Sequence, residues 1–156
     1  MNRLDRRHVD HHLVHHRVLG RYDVDDRVEA LRIAVAASAA PTVLVAHSAG
    51  CLTVATWALG GAGPVIGALL ATPPDLSEPY TDGEQSLPAM PAERLPFPAI
   101  LAASRDDPVM EFHRARHWAE AWGAELVDLG NVGHLGSADG FGPWPLGDHL
   151  IERLRT

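Results

Sequence analysis

Val43-Leu44-Val45-Ala46-His47-Ser48-Ala49-Gly50-Cys51 is the stretch that decides how this chain is read. A short apolar run rich in β-branched residues feeds into a serine flanked by small residues, and an alanine-rich helical stretch follows. This is the pattern of a nucleophile elbow: a strand stops, one serine takes a tight turn, and a helix starts beneath it. Small neighbours suit the turn because its serine occupies a strained backbone conformation that bulky side chains would crowd. The helix start also aims amide N–H groups, here that of Ala49, at the place where negative charge develops in acyl transfer. Ser48 is therefore a candidate nucleophile and Ala49 a candidate oxyanion donor. The usual form is Gly-x-Ser-x-Gly, and Ala46 holds the first glycine position, the mildest replacement available. The competing reading is a plain strand-to-helix turn in which Ser48 serves only as N-cap.

Working outward, Asp25–Ala37 reads as a helix with Val28, Leu31, Ile33, Ala34 and Val35 giving an apolar side. Thr42–Ala46 is the first strand, and Ala49–Leu59 is the helix under the elbow, ended by Gly60 and Gly61. Val65–Ala71 is an apolar run without polar alternation, as expected of a strand buried on both faces. The stretch from Thr72 to Pro98 holds seven of the twelve prolines, so it is expected to be irregular. Long loops of this kind often carry function, which makes it a candidate rim or lid for a substrate site, with an ordinary crossing loop holding one short helix as the equal alternative. Ala99–Ala103 is a strand, Met110–Trp122 a helix and Glu125–Leu129 a last short strand. A glycine-rich loop over 130–147 precedes a closing helix, Asp148–Arg155. Strands alternating with helices predict a single-domain α/β fold with a mainly parallel sheet flanked by helices.

A serine hydroxyl needs a base to take its proton, and that base needs a carboxylate to hold its tautomer. The strand Ala99–Ala103 runs into Ser104-Arg105-Asp106-Asp107-Pro108, and the strand Glu125–Leu129 runs into Gly130-Asn131-Val132-Gly133-His134. Each places a reactive side chain at the carboxyl end of a strand, the edge where open α/β sheets gather their reacting groups. Residues 108–133 leave room for the one helix and one strand that must separate acid from base. Asp107 is preferred to its neighbour Asp106 because the Asp-Pro step turns the chain just beyond the strand. Taken alone, Asp107 could be turn chemistry, and His134 one loop histidine among ten. Three such groups in the order serine, acid, histidine, each after a strand, point to hydrolase chemistry.

His47-Ser48-Ala49-Gly50-Cys51, Ser104-Arg105-Asp106-Asp107-Pro108 and Gly133-His134, followed by Gly140-Phe141-Gly142-Pro143-Trp144-Pro145, resemble the small α/β-hydrolases related to retinoblastoma-binding protein 9 and bacterial YdeN. The resemblance covers roughly residues 24–156. It implies a compact serine hydrolase with little or no cap domain, with Ser48, Asp107 and His134 as nucleophile, acid and base. Phe141, Trp144 and the proline-rich loop are expected to border the substrate site. Such relatives begin with an apolar first strand and a glycine-containing loop bearing a His-Trp pair, neither of which is found here. The expectation is a sheet whose first strand is missing, with residues 1–22 arising from a misplaced start or shifted frame. The function expected is that of an esterase-type serine hydrolase acting on a small acyl ester. The alternative is a hydrolase-derived binding or interaction protein with weak or no activity, because one oxyanion donor would come from the absent loop.

Composition sets the remaining bounds. The 156 residues are 46% hydrophobic, which suits one globular domain over 23–156. A net charge of −7 argues against nucleic acid or an anionic membrane as a main partner. A small-molecule substrate is expected instead, with no protein partner specified. Arginine supplies all 13 basic residues. One cysteine, Cys51, excludes an internal disulfide and suits a reducing cytoplasm; one helical turn past Ser48, it is expected to pack rather than react. Residues 1–22 form a His/Arg-rich segment expected to be poorly ordered. There His8, His12 and His16, and likewise His11 and His15, recur at four-residue spacing and would share a helix face, as metal ligands can. No cysteine or His-Glu-x-x-His arrangement supports a site there, so a solvated tail is expected, with no metal and no cofactor. His113 and His117, among arginines, are expected on a solvent face.

Overall fold

Three apolar runs and the short segment Glu125–Asp128 pair as parallel strands in a sheet with helices on both faces. The computed structural model describes residues 12–14, 22–140 and 142–156. In chain order it contains α1 (Val24–Ala37), β1 (Thr42–His47), α2 (Gly50–Ala58), β2 (Val65–Ala71), β3 (Tyr80–Asp82), β4 (Gln85–Leu87), β5 (Ala99–Ala103), α3 (Phe112–Trp122), β6 (Glu125–Asp128) and α4 (Pro145–Leu154). The main sheet has the order β1-β2-β5-β6, with every neighbouring pair parallel. Among the described residues no strand precedes α1 and no helix is long and apolar enough to cross a membrane.

Side-chain alternation sorts the apolar strands onto two cores. Ala68 and Leu70 of β2, with Ala99, Leu101 and Ala103 of β5, join the main core with Leu31 and Val35 of α1. Cys51, Leu52, Val54 and Ala55 of α2 complete it from below the elbow. Leu69, Ile100 and Ala102 point the other way, onto Leu150 of α4. A Cβ at Gly67 would stand 3.0 Å from Leu154, so glycine there lets α4 lie close to β2. Helix α3 buries Ala115, Trp118, Ala119 and Trp122, a spacing that keeps one face inward; His113 and His117 lie on the exposed side. In α1, Leu31 and Val35 turn inward one helical turn apart, while Ile33 is 55% exposed.

The elements match the sequence reading to within a few residues, with two corrections. The stretch from Thr72 to Pro98 is not wholly irregular: β3 and β4 form a small antiparallel hairpin around Gly83, whose φ is +57°. Its strands are three residues long and exposed except for the partly buried Leu87, too short for a burial pattern to mark them, and Pro79 and Pro88 bracket them. Helix α4 starts at Pro145 rather than Asp148. Proline suits a first helical turn, where its missing N–H has no intrahelical acceptor to lose. Most of segment 1–22 lies outside the described residues, including His8, His11, His15 and His16 of the proposed helical face. Val14 and Tyr22, which are described, pack partly buried against the main core.

The long loop is tied to α3 through Asp75. Its carboxylate accepts hydrogen bonds from Arg114 Nε at 2.9 Å, Trp118 Nε1 at 3.0 Å and Ser77 Oγ at 2.9 Å. Burial alone would raise its pKa, but these donors, Arg114 foremost, outweigh burial and hold it at about 2. The folded value lies below the unfolded one of about 3.9. The stabilisation is therefore complete above the unfolded value and is lost as pH falls toward the folded one. Asp75→Asn should lower the urea midpoint at neutral pH and flatten its fall on the acid side. In the core, Leu101 is 0% exposed. Leu101→Ala should cost about 2–5 kcal/mol in urea unfolding, and Leu59→Ala, at an exposed helix end, within about 0.5 kcal/mol.

Candidate active site

The turn after β1 is as tight as its sequence suggests. Ser48 has a φ of +55°, a left-handed conformation costly for a residue with a side chain. Its N–H donates to Ala71 O at 3.0 Å, and its C=O accepts from Cys51 N at 2.9 Å. Ala49 is the N-cap of α2, with no side-chain hydrogen bond capping the helix. Ser48 therefore does not spend its hydroxyl as a cap. A Cβ built on Gly50 would stand 3.6 Å from the Ala46 Cβ, ordinary contact, so alanine at position 46 leaves the elbow uncrowded. Tyr22 buttresses α2 from outside, donating its hydroxyl proton to Ala49 O at 2.8 Å and lying 2.7 Å from Thr53 Oγ1.

Ser48 Oγ lies 2.7 Å from His134 Nε2. On the far side of the ring, His134 Nδ1 lies 3.0 and 3.1 Å from the two carboxylate oxygens of Asp107. A carboxylate accepts only, so Nδ1 carries the proton, and Nε2 is left as acceptor for the serine hydroxyl. The Asp107 side chain is 2% exposed and His134 is 23% exposed, a buried acid behind a partly open base. Asp107 Oδ1 also accepts Val109 N–H at 3.0 Å, which holds the carboxylate within its own Asp-Pro turn. The structure thus joins Ser48, His134 and Asp107 in one hydrogen-bond chain.

Asp106 points elsewhere and does a different job. Its carboxylate accepts Gly133 N–H at 2.8 Å and Ser104 Oγ–H at 2.7 Å. The Gly133 N–H and then Ser104 hold its pKa below the ordinary aspartate value. Ser104, almost fully buried, also accepts Val132 N–H at 3.1 Å. Asp139 closes the loop from beyond, accepting the N–H groups of His134 at 3.0 Å and Gly136 at 3.1 Å. A Cβ at Gly133, where φ is +63°, would come within 2.8 Å of that carboxylate. The loop carrying His134 is therefore pinned on both sides.

Ser104, Asp139 and Thr72 have no role that the sequence pattern assigns, nor has His47 beyond its place in the motif. Their signals are faint: a polar residue directly after an apolar strand for Thr72 and Ser104, and an acid five residues past the histidine for Asp139. Of the residues expected to border a substrate, Phe141 lies outside the described residues. Trp144 is half-buried and packs with Leu69, Ile100 and Leu150 on the α4 side of the sheet. There its ring fills the space a Cβ at Gly147 would occupy. Beside the acid, Pro108, Val109 and Met110 line an open cleft of about 370 Å³ with Asp75 and Arg114 of the long-loop contact. Among the described residues no cluster of three His, Cys, Asp or Glu side chains could hold a metal ion.

A parallel α/β sheet with a strained serine after one strand and an acid and histidine after two later ones defines an α/β-hydrolase. The family described as serine hydrolase matches residues 1–153, and the chain belongs to it. That match takes in the His/Arg-rich segment, which the motif-based resemblance over 24–156 left out. A YdeN-like hydrolase from Pectobacterium atrosepticum is 32% identical, with a TM-score of 0.79 over 91% of this chain and 75% of that one. A hydrolase of the α/β superfamily from Xanthomonas campestris is 27% identical, with a TM-score of 0.59 over 85% and 69%. The esterase domain of a Rhodothermus marinus protein shares the fold at 19% identity, with a TM-score of 0.63 over 88% and 70%. No protein of curated function matches the sequence.

Cys51, one turn below Ser48, is 0% exposed, and its thiol faces Ala46 O and Ala71 O, each at 3.7 Å. Burial pushes the thiol pKa up, far from the thiolate range. An aromatic disulfide reagent should leave the native protein unlabelled for as long as it stays folded. In urea above the unfolding midpoint it should label one thiol per chain, followed by absorbance.

Proposed function

We propose that this serine hydrolase is an esterase that cleaves a small acyl ester through Ser48, His134 and Asp107. The observation that carries this reading is the continuous chain from Ser48 Oγ through the His134 ring to the buried Asp107 carboxylate. Ser48 Oγ attacks the acyl carbonyl as Nε2 of His134 takes its proton, and Asp107 stabilises the resulting imidazolium. The Ala49 N–H, at the start of α2, donates to the oxyanion of the tetrahedral intermediate. Collapse breaks the ester C–O bond, and the alcohol leaves with the proton from Nε2. Water, deprotonated by the same nitrogen, then attacks the acyl-serine, releasing the acid and restoring Ser48. The left-handed backbone at Ser48 supports the reading, since strain is retained where the hydroxyl must be presented.

A fluorophosphonate probe and a p-nitrophenyl acetate assay test it. The wild type should label and hydrolyse, and Ser48→Ala should do neither, losing roughly 10⁴-fold or more in kcat. Asp107→Asn should fold normally and lose about 10⁴-fold, because the asparagine no longer holds the required tautomer. Asp106→Asn, which loosens the loop and not the ring, should lose far less. Folded wild type that neither labels nor turns over ester would instead favour a binding protein built on a hydrolase fold.

A further inference from the structure

We propose that His47 and Thr72 are positioning residues that clamp the backbone carbonyl of His134 and so set where its imidazole meets Ser48; the role rests on the esterase reading above. The carbonyl oxygen of His134 accepts two hydrogen bonds, from His47 Nε2 at 2.6 Å and from Thr72 Oγ1 at 3.2 Å. A carbonyl only accepts, so His47 carries its proton on Nε2. The two imidazole rings stand 5.0 Å apart between centroids.

The sheet explains why such a clamp is needed. In the order β1-β2-β5-β6, Ser48 follows β1 at one side and His134 hangs from β6 at the other. The base must therefore reach across three strand spacings, roughly 14 Å. Asp107, at the end of β5, sets the orientation of the ring but not how far the loop extends. His47 ends β1 and Thr72 directly follows β2, so both donors are carried on the strands nearest Ser48. Thr72 is 1% exposed, and its N–H is fixed to Ala102 O at 2.9 Å. The donors are thus tied to the frame that holds the serine, and they fasten the far loop to it.

Backbone strain gathers at the same point. Among the described residues three non-glycine residues have positive φ: Ser48 at 55°, Thr72 at 43° and Leu135 at 55°. Ser48 follows one donor, Thr72 is the other, and Leu135 contributes the nitrogen of the peptide whose oxygen is clamped. Strain of this kind persists only where the surroundings over-determine it.

The test uses Thr72→Val, Thr72→Ser, His47→Leu and His47→Gln in the full chain. A displacement near 1 Å of a reacting group can cost about 10²-fold, so Thr72→Val and His47→Leu should lose about 10–10²-fold in kcat. KM should stay within about twofold, and Thr72→Ser and His47→Gln, which keep a donor, should recover most of the loss. An activity-independent readout is the downfield proton resonance of His134 Nδ1–H against Asp107. It should be present in the wild type, broadened or lost in Thr72→Val and His47→Leu at an unchanged circular dichroism spectrum, and restored in the conservative variants. Variants without the donor that keep both kcat and the resonance would overturn the clamp, as would a change confined to KM. If Thr72→Val does not fold, the exposed His47 pair decides. If the wild type hydrolyses no ester, the esterase reading falls, and the resonance alone decides the clamp.

Discussion

Parallel pairing is the constraint on which the rest depends, because it brings the carboxyl ends of β1, β2, β5 and β6 to one edge. Ser48, Thr72, Ser104 to Asp107, and the loop of His134 all leave the sheet there. Helices on both faces make this arrangement stable, since the central strands β2 and β5 then bury apolar side chains in both directions. β5 is buried at all five positions, and the Asp107 side chain just beyond it is nearly solvent-free. A buried carboxylate meets little competition from water for the imidazole, which strengthens that contact.

The edge concentrates strain as well as function. A serine turned into left-handed conformation presents its hydroxyl outward, and the helix that follows supplies the Ala49 N–H. The histidine loop solves a harder problem, because it originates far across the sheet and must still stop within hydrogen-bond distance of the serine. Asp106, Ser104 and Asp139 hold its amides, while His47 and Thr72 take its central carbonyl. Neighbouring aspartates thus divide the work: Asp107 faces the ring and Asp106 faces the backbone. The Asp-Pro step accounts for the difference, since it turns Asp107 back toward Val109 N–H and the histidine.

Much of this was legible in residue order. The apolar runs of β1, β2 and β5 announce buried strands, and the elbow, the Asp-Pro turn and the Gly-His pair each follow a strand. The hairpin of β3 and β4 was not legible, because three residues a side, all exposed but Leu87, carry no burial pattern. The start of α4 at Pro145 was hidden by a run of glycine and proline that reads equally well as loop. Trp144 illustrates a different limit. An aromatic near a histidine loop suggests a substrate wall, yet its ring packs over Gly147 on the α4 side.

By itself the sequence determined the class of fold, the identity of the candidate nucleophile and the order of its partners. These follow from local chemistry: which residues fit a strained turn, and which stretches must be buried. The Asp-Pro step already favours Asp107 over Asp106; the tertiary structure brings its carboxylate to the ring, and it alone decided that Ser48 is not a helix cap. It also decided that His47 and Thr72 converge on one carbonyl, 87 and 62 residues away from them in the chain. Such contacts depend on strand order and on the direction in which each side chain leaves the sheet. Neither is written in the spacing of residues along the chain.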